Sequence, residues 1–301
     1  MPDRASEATQ LLRARLIAAQ RPSGAWSAAD AGPDAVEPTA LAALALRADA
    51  ESCARATAWL LARQRPDGAW PATTQVDAPS WAGGVALLAL ARLGADRAAV
   101  ARGVAWLVSR ESRTLDWGTM LLARVQRWRG VPVPAELDAS LVGWPWTDDA
   151  FGWVEPTSVA LLALRAADAR AARARERIAM GTRLLLDRAA PGGGWNYGNT
   201  RVLGEDVAPY ADTTAWALLA LRGRDDPAVR AGLARLPTLL AATRSSLSHA
   251  LAALAFRTHA RDDAPLRAAL AARVLAAPPA EVRTQALALL ALSDTAVPLG
   301  G

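Results

Sequence analysis

The chain contains no lysine, one cysteine, two histidines, two phenylalanines and two tyrosines in 301 residues. Each shortage closes a route. A lone Cys53 cannot form an intrachain disulfide. With His249 and His259 as its only histidines and no Asp-x-Cys element, the chain argues against a thiolate-type zinc site, and no metal is expected. No uninterrupted apolar run reaches the length of a membrane span. The segment 1–20 is charged and lacks the apolar core of a signal peptide, so a cytoplasmic location is the default expectation. Because lysine is absent, all 34 basic residues are arginine, set against 29 acidic ones for a net charge of +5. The two signs are interspersed, as across 170–177, so there is no basic stripe and nucleic acid is not an expected partner. A weak attraction to anionic membrane surfaces, peripheral to the inner face, stays open.

What is abundant is alanine, leucine and tryptophan. Apolar residues make up 52% of the chain, and the dominant Ala and Leu are the strongest helix formers. The 12 tryptophans stand out beside so few other aromatics and call for a local explanation.

Internal repetition is the strongest pattern. A run of the form x-Leu-Ala-Leu occurs at Ala43–Leu46, Leu87–Leu90, Leu161–Leu164, Leu218–Leu221 and Leu289–Leu292. A variant lies at Ala253–Phe256 and a degraded copy at Leu121–Arg124, the starts being 34 to 57 residues apart. These segments are apolar almost all round and predict buried helices. Between them lie amphipathic patterns at Ala8–Ala19, Ala54–Arg63, Ala98–Ser109, Ala171–Arg188, Pro227–Ala241 and Pro265–Ala276. Pro132–Leu141 reads as a stunted member of this second set. Apolar helices inside and amphipathic helices outside predict an all-α fold, an α/α toroid of six to seven inner/outer helix pairs in one domain over 1–301. An open solenoid would leave one inner face wet.

The turn after each outer helix carries a motif. Arg55 to Trp70 reads basic, small, aromatic and aliphatic, then Gln64-x-x-x-Gly68-x-Trp70. Gln20–Trp26 repeats its second half. Arg102–Trp117 repeats the first half, with Glu111 for Gln and Leu115 for Gly. Gly181–Trp195 keeps Gly193 and Trp195 but has Ala189 for Gln. These segments resemble the QW motif of the squalene-hopene cyclase and prenyltransferase–squalene oxidase repeat superfamily, terpenoid cyclase-like toroids, and the resemblance covers nearly the whole chain. The motif has a physical reading. Gln can donate to the last helix carbonyls, Gly permits the left-handed turn, and Trp packs back. Trp26, Trp70, Trp117 and Trp195 are therefore expected to be staples between repeats.

The resemblance implies chemistry at one mouth of the toroid. Class II cyclases protonate an alkene or epoxide with the middle Asp of an Asp-x-Asp-Asp-Thr-Ala motif. Here Tyr210-Ala211-Asp212-Thr213-Thr214-Ala215 stands in its place, so Asp212 matches the acid while Tyr210 and Thr213 replace its companions. Glu37, Glu155 and Asp212 each lie two residues before a threonine (Thr39, Thr157, Thr214) at the start of an inner helix, so they should gather at one mouth. Helix initiation accounts for them as well, since acids and the prolines at 38 and 156 suit first turns. His249 occupies the threonine position and is expected to reach the mouth. Trp81, Trp144, Trp146, Trp153, Tyr197 and Tyr210 are expected to line an apolar pocket that stabilises cations over ring faces, although the loop tryptophans would equally cap the core.

The resulting expectation is an isoprenoid-handling protein, a class II-like terpene cyclase or isomerase acting by metal-independent protonation. Asp212 would be the acid, Glu155 or Glu37 its helpers, and no cofactor is required. The partner would be an isoprenoid or other apolar small molecule. A non-catalytic lipid-binding or scaffold toroid and a carbohydrate-active toroid enzyme are the alternatives, because fold does not fix chemistry.

Overall fold

The computed structural model describes residues 4–29, 31–114, 140–202 and 204–293, with isolated positions between 118 and 138 and Leu299. Among these are twelve helices. The outer set is α1 (Arg4–Ala19), α3 (Ala50–Ala62), α5 (Arg97–Ser109), α7 (Ala172–Asp187), α9 (Pro227–Ala241) and α11 (Ala264–Ala276). The inner set is α2 (Val36–Ala45), α4 (Ala82–Arg92), α6 (Val154–Ala166), α8 (Ala211–Ala220), α10 (Ser246–Thr258) and α12 (Val282–Leu292). Two short hairpins accompany them: β1 (Trp26–Ser27) with β2 (Asp34–Ala35), and β3 (Arg201–Val202) with β4 (Glu205–Asp206).

Composition decides which helix goes where. In α6 every residue from Val154 to Leu164 is buried, whereas α1 buries only Ala8, Leu12 and Leu16. An all-apolar helix must be surrounded, and a one-striped helix can face water. Asp49 and Asp96 start outer helices by accepting the amides of Ser52 (3.0 Å) and Ala99 (2.7 Å), the usual service of an N-cap.

The inner helices contact one another in the order α2, α4, α6, α8, α10, α12, and α12 returns to α2. The result is a closed ring of six, an α/α toroid. The degraded repeat at Leu121–Arg124 lies, apart from Leu121, outside the described residues, as does most of the stunted Pro132–Leu141. The ring closes without either, because α4 packs directly on α6. On the outside α1 seals the seam, resting on α11 and α12.

The tryptophan staples show why the turns are built as they are. The indole N–H of Trp26 donates to Leu16 O (2.8 Å), that of Trp70 to Leu60 O (2.8 Å) and that of Trp195 to Leu185 O (2.6 Å), each on the preceding outer helix. Gln20 and Gln64 each donate to the carbonyl of their turn glycine and to one at the start of the next outer helix, Ser52 O and Ala99 O, both at 2.9 Å. The third repeat departs from the sequence expectation. Trp117 lies outside the described residues, and Trp144 makes the staple bond, donating to Leu107 O at 2.8 Å. The glutamine's service there falls to Arg177, which reaches from α7 to Arg110 O (2.7 Å) and Gly143 O (3.0 Å).

Candidate acid site at the mouth of the toroid

The second residue of an inner helix decides what faces the lumen. That position holds Glu37 in α2, Glu155 in α6, Asp212 in α8, Leu247 in α10 and Arg283 in α12. In the α4 repeat Trp81 takes the place, eleven residues after its staple tryptophan just as Glu37 and Glu155 are after theirs. Proof that the position faces inward comes from Arg283. Its guanidinium pairs with Glu37, Nε to Oε1 at 3.1 Å, and donates through Nη2 to Glu155 Oε1. In a ring of six, α6 stands opposite α12, so the second contact can only cross the lumen. The sequence reading gathered the three acids here but missed Arg283. The available signal was its register, two residues before Gln285 as Glu37 precedes Thr39.

The electrostatics follow from this crowding. Glu155 is buried, and removal from water pushes its pKa from 4.5 up to about 7. Arg283 opposes the rise, while Glu37 and Asp212 add to it. Burial likewise raises the pKa of Glu37 against the pull of Arg283. Burial works against the charge on Arg283, but Glu37, Glu155 and Asp212 together hold its proton more firmly than usual. These are the desolvation and charge effects expected of carboxyls sharing one cation.

Two aromatic pairs stand at the starts of inner helices and in the loops that lead to them. Trp81 and Trp146 meet edge to face with centroids 4.5 Å apart. Tyr197 and Tyr210 are 5.3 Å apart, and both remain about half exposed. Burial and the charges of Asp212 and Glu155 raise the pKa of the Tyr197 phenol, which places it beside those carboxyls. One turn deeper on the lumen face, a step of four residues, stand Leu41, Val85, Val159, Trp216, Leu251 and Leu287, all buried. The lumen below the acids is thus an apolar plug, and a ligand would rest on it rather than thread the ring.

Trp144 and His249 lie away from the lumen register, while Trp153 stands just before α6 beside the Tyr197 loop. Trp144 is buried as the third staple, with the Arg177 guanidinium 4.3 Å above its ring. Trp153 precedes α6, its amide donating to Trp144 O at 3.1 Å and its ring beside Gly198. His249 shares the register of Thr39, Thr157 and Thr214, whose hydroxyls accept the amides of Trp26 (2.9 Å), Trp144 (3.1 Å) and Trp195 (2.9 Å). That register lies about 200° around the helix from the lumen position. His249 is buried, its Nδ1 sits 2.9 Å from Ser245 O, and burial lowers its pKa. Among the described residues no group of three His, Cys, Asp or Glu is placed to hold a metal ion.

No protein-family model and no curated protein matches the sequence. Solved structures do resemble it. A protein from Actinoplanes is 16% identical with a TM-score of 0.57, covering 96% of this chain and 98% of that one. A glycosidase variant is 16% identical with a TM-score of 0.58, covering 97% and 96%. The type II terpene cyclase MstE from Scytonema is 19% identical over 78% and 79%, with a TM-score of only 0.38. At these identities the likeness is one of fold, and the overlay on the cyclase is too loose to bear on the reaction.

Proposed function

We propose that the mouth is a proton-donating catalytic site and that Glu155, rather than Asp212, is its acid. One observation carries this reading. A buried carboxyl, pushed up to about 7, meets Arg283 across the lumen above an apolar floor and within electrostatic reach of Tyr197. Such a group is half protonated at neutral pH, the condition in which a general acid both holds and releases a proton. Arg283 keeps it there, because burial without a guanidinium would push it higher. Asp212 and Glu37 would stabilise positive charge developing on the substrate, and the ring faces would do the same.

The substrate class we favour is an isoprenoid carrying an oxygen, such as an epoxide. A carboxyl titrating near neutrality is a mild acid. It suits an oxygen whose C–O bond breaks as the proton arrives better than a bare alkene. A second reading shares the acid. One carboxyl of raised pKa facing other carboxyls across a mouth is also the arrangement with which glycoside bonds are cleaved.

Purified protein should be incubated with squalene epoxide and, separately, with a panel of nitrophenyl glycosides, beside the Glu155→Gln variant. A cyclised isomer that vanishes in the variant supports the isoprenoid reading, and nitrophenol release that vanishes supports the glycoside one. Turnover that survives Glu155→Gln sinks the assignment of the acid.

A further inference from the structure

Below the carboxyls of the mouth one buried donor is left without an acceptor. Trp216 of α8 is 3% exposed, and its indole N–H meets no hydrogen-bond acceptor among the described residues. The staple tryptophans show what a buried indole ordinarily does. Trp26, Trp70, Trp144 and Trp195 each donate to a backbone carbonyl. A buried donor left unmet bears its full desolvation cost, so such a group calls for a partner. Its position says which kind. Trp216 follows Asp212 by one turn on the lumen face, about 6 Å deeper at 1.5 Å per residue. Long side chains on a helix lean toward its N-terminus. The mouth lies at the N-termini of the inner helices, so the indole leans toward the carboxyls. Its helix packs on α6, which carries Glu155, and the charge of Asp212 acts on Glu155. The other five residues of its layer are Leu and Val, whose side chains offer no acceptor.

Resting on the reading of the mouth as an acid site, we propose that the Trp216 N–H binds the ligand's oxygen, the one whose C–O bond breaks there, whether of an epoxide or of a glycoside. Such an oxygen has two lone pairs. One accepts the indole N–H, and the other faces the carboxyl of Glu155. An indole donates and does not accept, so it selects an oxygenated ligand and adds nothing to the binding of a bare alkene. A second donor also shares the negative charge that gathers on the oxygen as its bond to carbon breaks. That relieves a mild acid of part of its task. Arg283 crosses the lumen one level above. A ligand therefore reaches the indole by displacing that guanidinium from Glu155, and the same displacement frees the carboxyl to meet the ligand.

The test follows binding rather than turnover, by nuclear magnetic resonance of protein labelled with nitrogen-15 in its 12 tryptophans. Squalene epoxide, squalene and octyl glucoside are titrated separately into wild type and Trp216→Phe. One indole N–H resonance, missing from the variant, should move downfield with an oxygenated probe and stay in place with squalene. Trp216→Phe should weaken binding of that probe about three- to tenfold, the worth of one hydrogen bond, and leave squalene binding unchanged. A response to the epoxide alone assigns the oxygen to an isoprenoid, and a response to the glucoside alone to a sugar. Should the variant fail to fold, the wild-type spectrum still decides, because one resonance must discriminate epoxide or glucoside from squalene. No indole shift with either oxygenated probe, or an equal weakening of squalene binding in the variant, overturns the proposal. An absent shift beside turnover that Glu155→Gln abolishes removes the donor and leaves the acid. A shift beside turnover that survives Glu155→Gln removes the acid and leaves the donor.

Discussion

Glu155 and Arg283 face each other across the ring, and their coupling has measurable consequences. The folded-state pKa of Glu155 lies above its ordinary value, so between about 4.5 and 7 the native state holds a proton that the unfolded state has released. Stability should therefore fall as pH rises through that window. Glu155→Gln should flatten this slope, and chemical denaturation at a series of pH values measures it. A slope unchanged in the variant would contradict the assignment. Arg283→Met leaves Glu37 and Glu155 without their shared cation. The loss of one partner from a largely buried pair costs about 3–5 kcal/mol. Because Arg283 opposes the rise in the Glu155 pKa, its removal should also move the falling limb of any pH–rate profile to higher pH. The acids were legible in the sequence because carboxylates suit helix N-termini, and the repeat aligned three of them. Arg283 was not, because a cation at that helix end runs against the dipole and only its partners on other inner helices, Glu37 beside it and Glu155 across the ring, explain it.

The turn between outer and inner helix is a device repeated along the chain. Its glycine is required twice over. Gly24 and Gly193 have φ of +92° and +85°, and a Cβ there would come within 2.7 Å of Arg55 O and 2.6 Å of Ala231 O on the next outer helix. Gly193→Ala should therefore cost at least 1–3 kcal/mol from backbone strain alone, read as a drop in the denaturation midpoint. Trp195→Ala should cost about 3–5 kcal/mol, since the ring is fully buried and its N–H satisfies a carbonyl of α7. Thr157→Val would strip the Trp144 amide of its acceptor, a loss of about 1–3 kcal/mol for a buried donor. The six outer helices and the staples at 26, 70 and 195 could be read from spacing, because helix, turn and tryptophan are adjacent in sequence. The third staple could not. Trp144 lies 37 residues beyond Leu107, whereas the other staples lie ten residues beyond their partners. Local spacing therefore pointed to Trp117. The same displacement moved Trp144 from expected pocket wall to core.

Closure makes the whole ring one set of mutual contacts rather than a stack. An open array of repeats can melt from its ends, but here the ends meet, α12 on α2 and α1 on α11 and α12. Calorimetry should show a single transition with matching calorimetric and van't Hoff enthalpies. Removal of residues 1–20 should lower its temperature and break that equality, and stepwise melting of the intact chain would argue against closure as the source of cooperativity. The seam also has a history. The helix that seals it is made roughly 250 residues before the helices it rests on. At about 5–20 residues per second, the stripe of Ala8, Leu12 and Leu16 waits on the order of tens of seconds for the surface that will cover it. The nascent ring is thus an unclosed arc until α12 emerges, and the stripe on α1 must stay clear of other apolar surfaces until then.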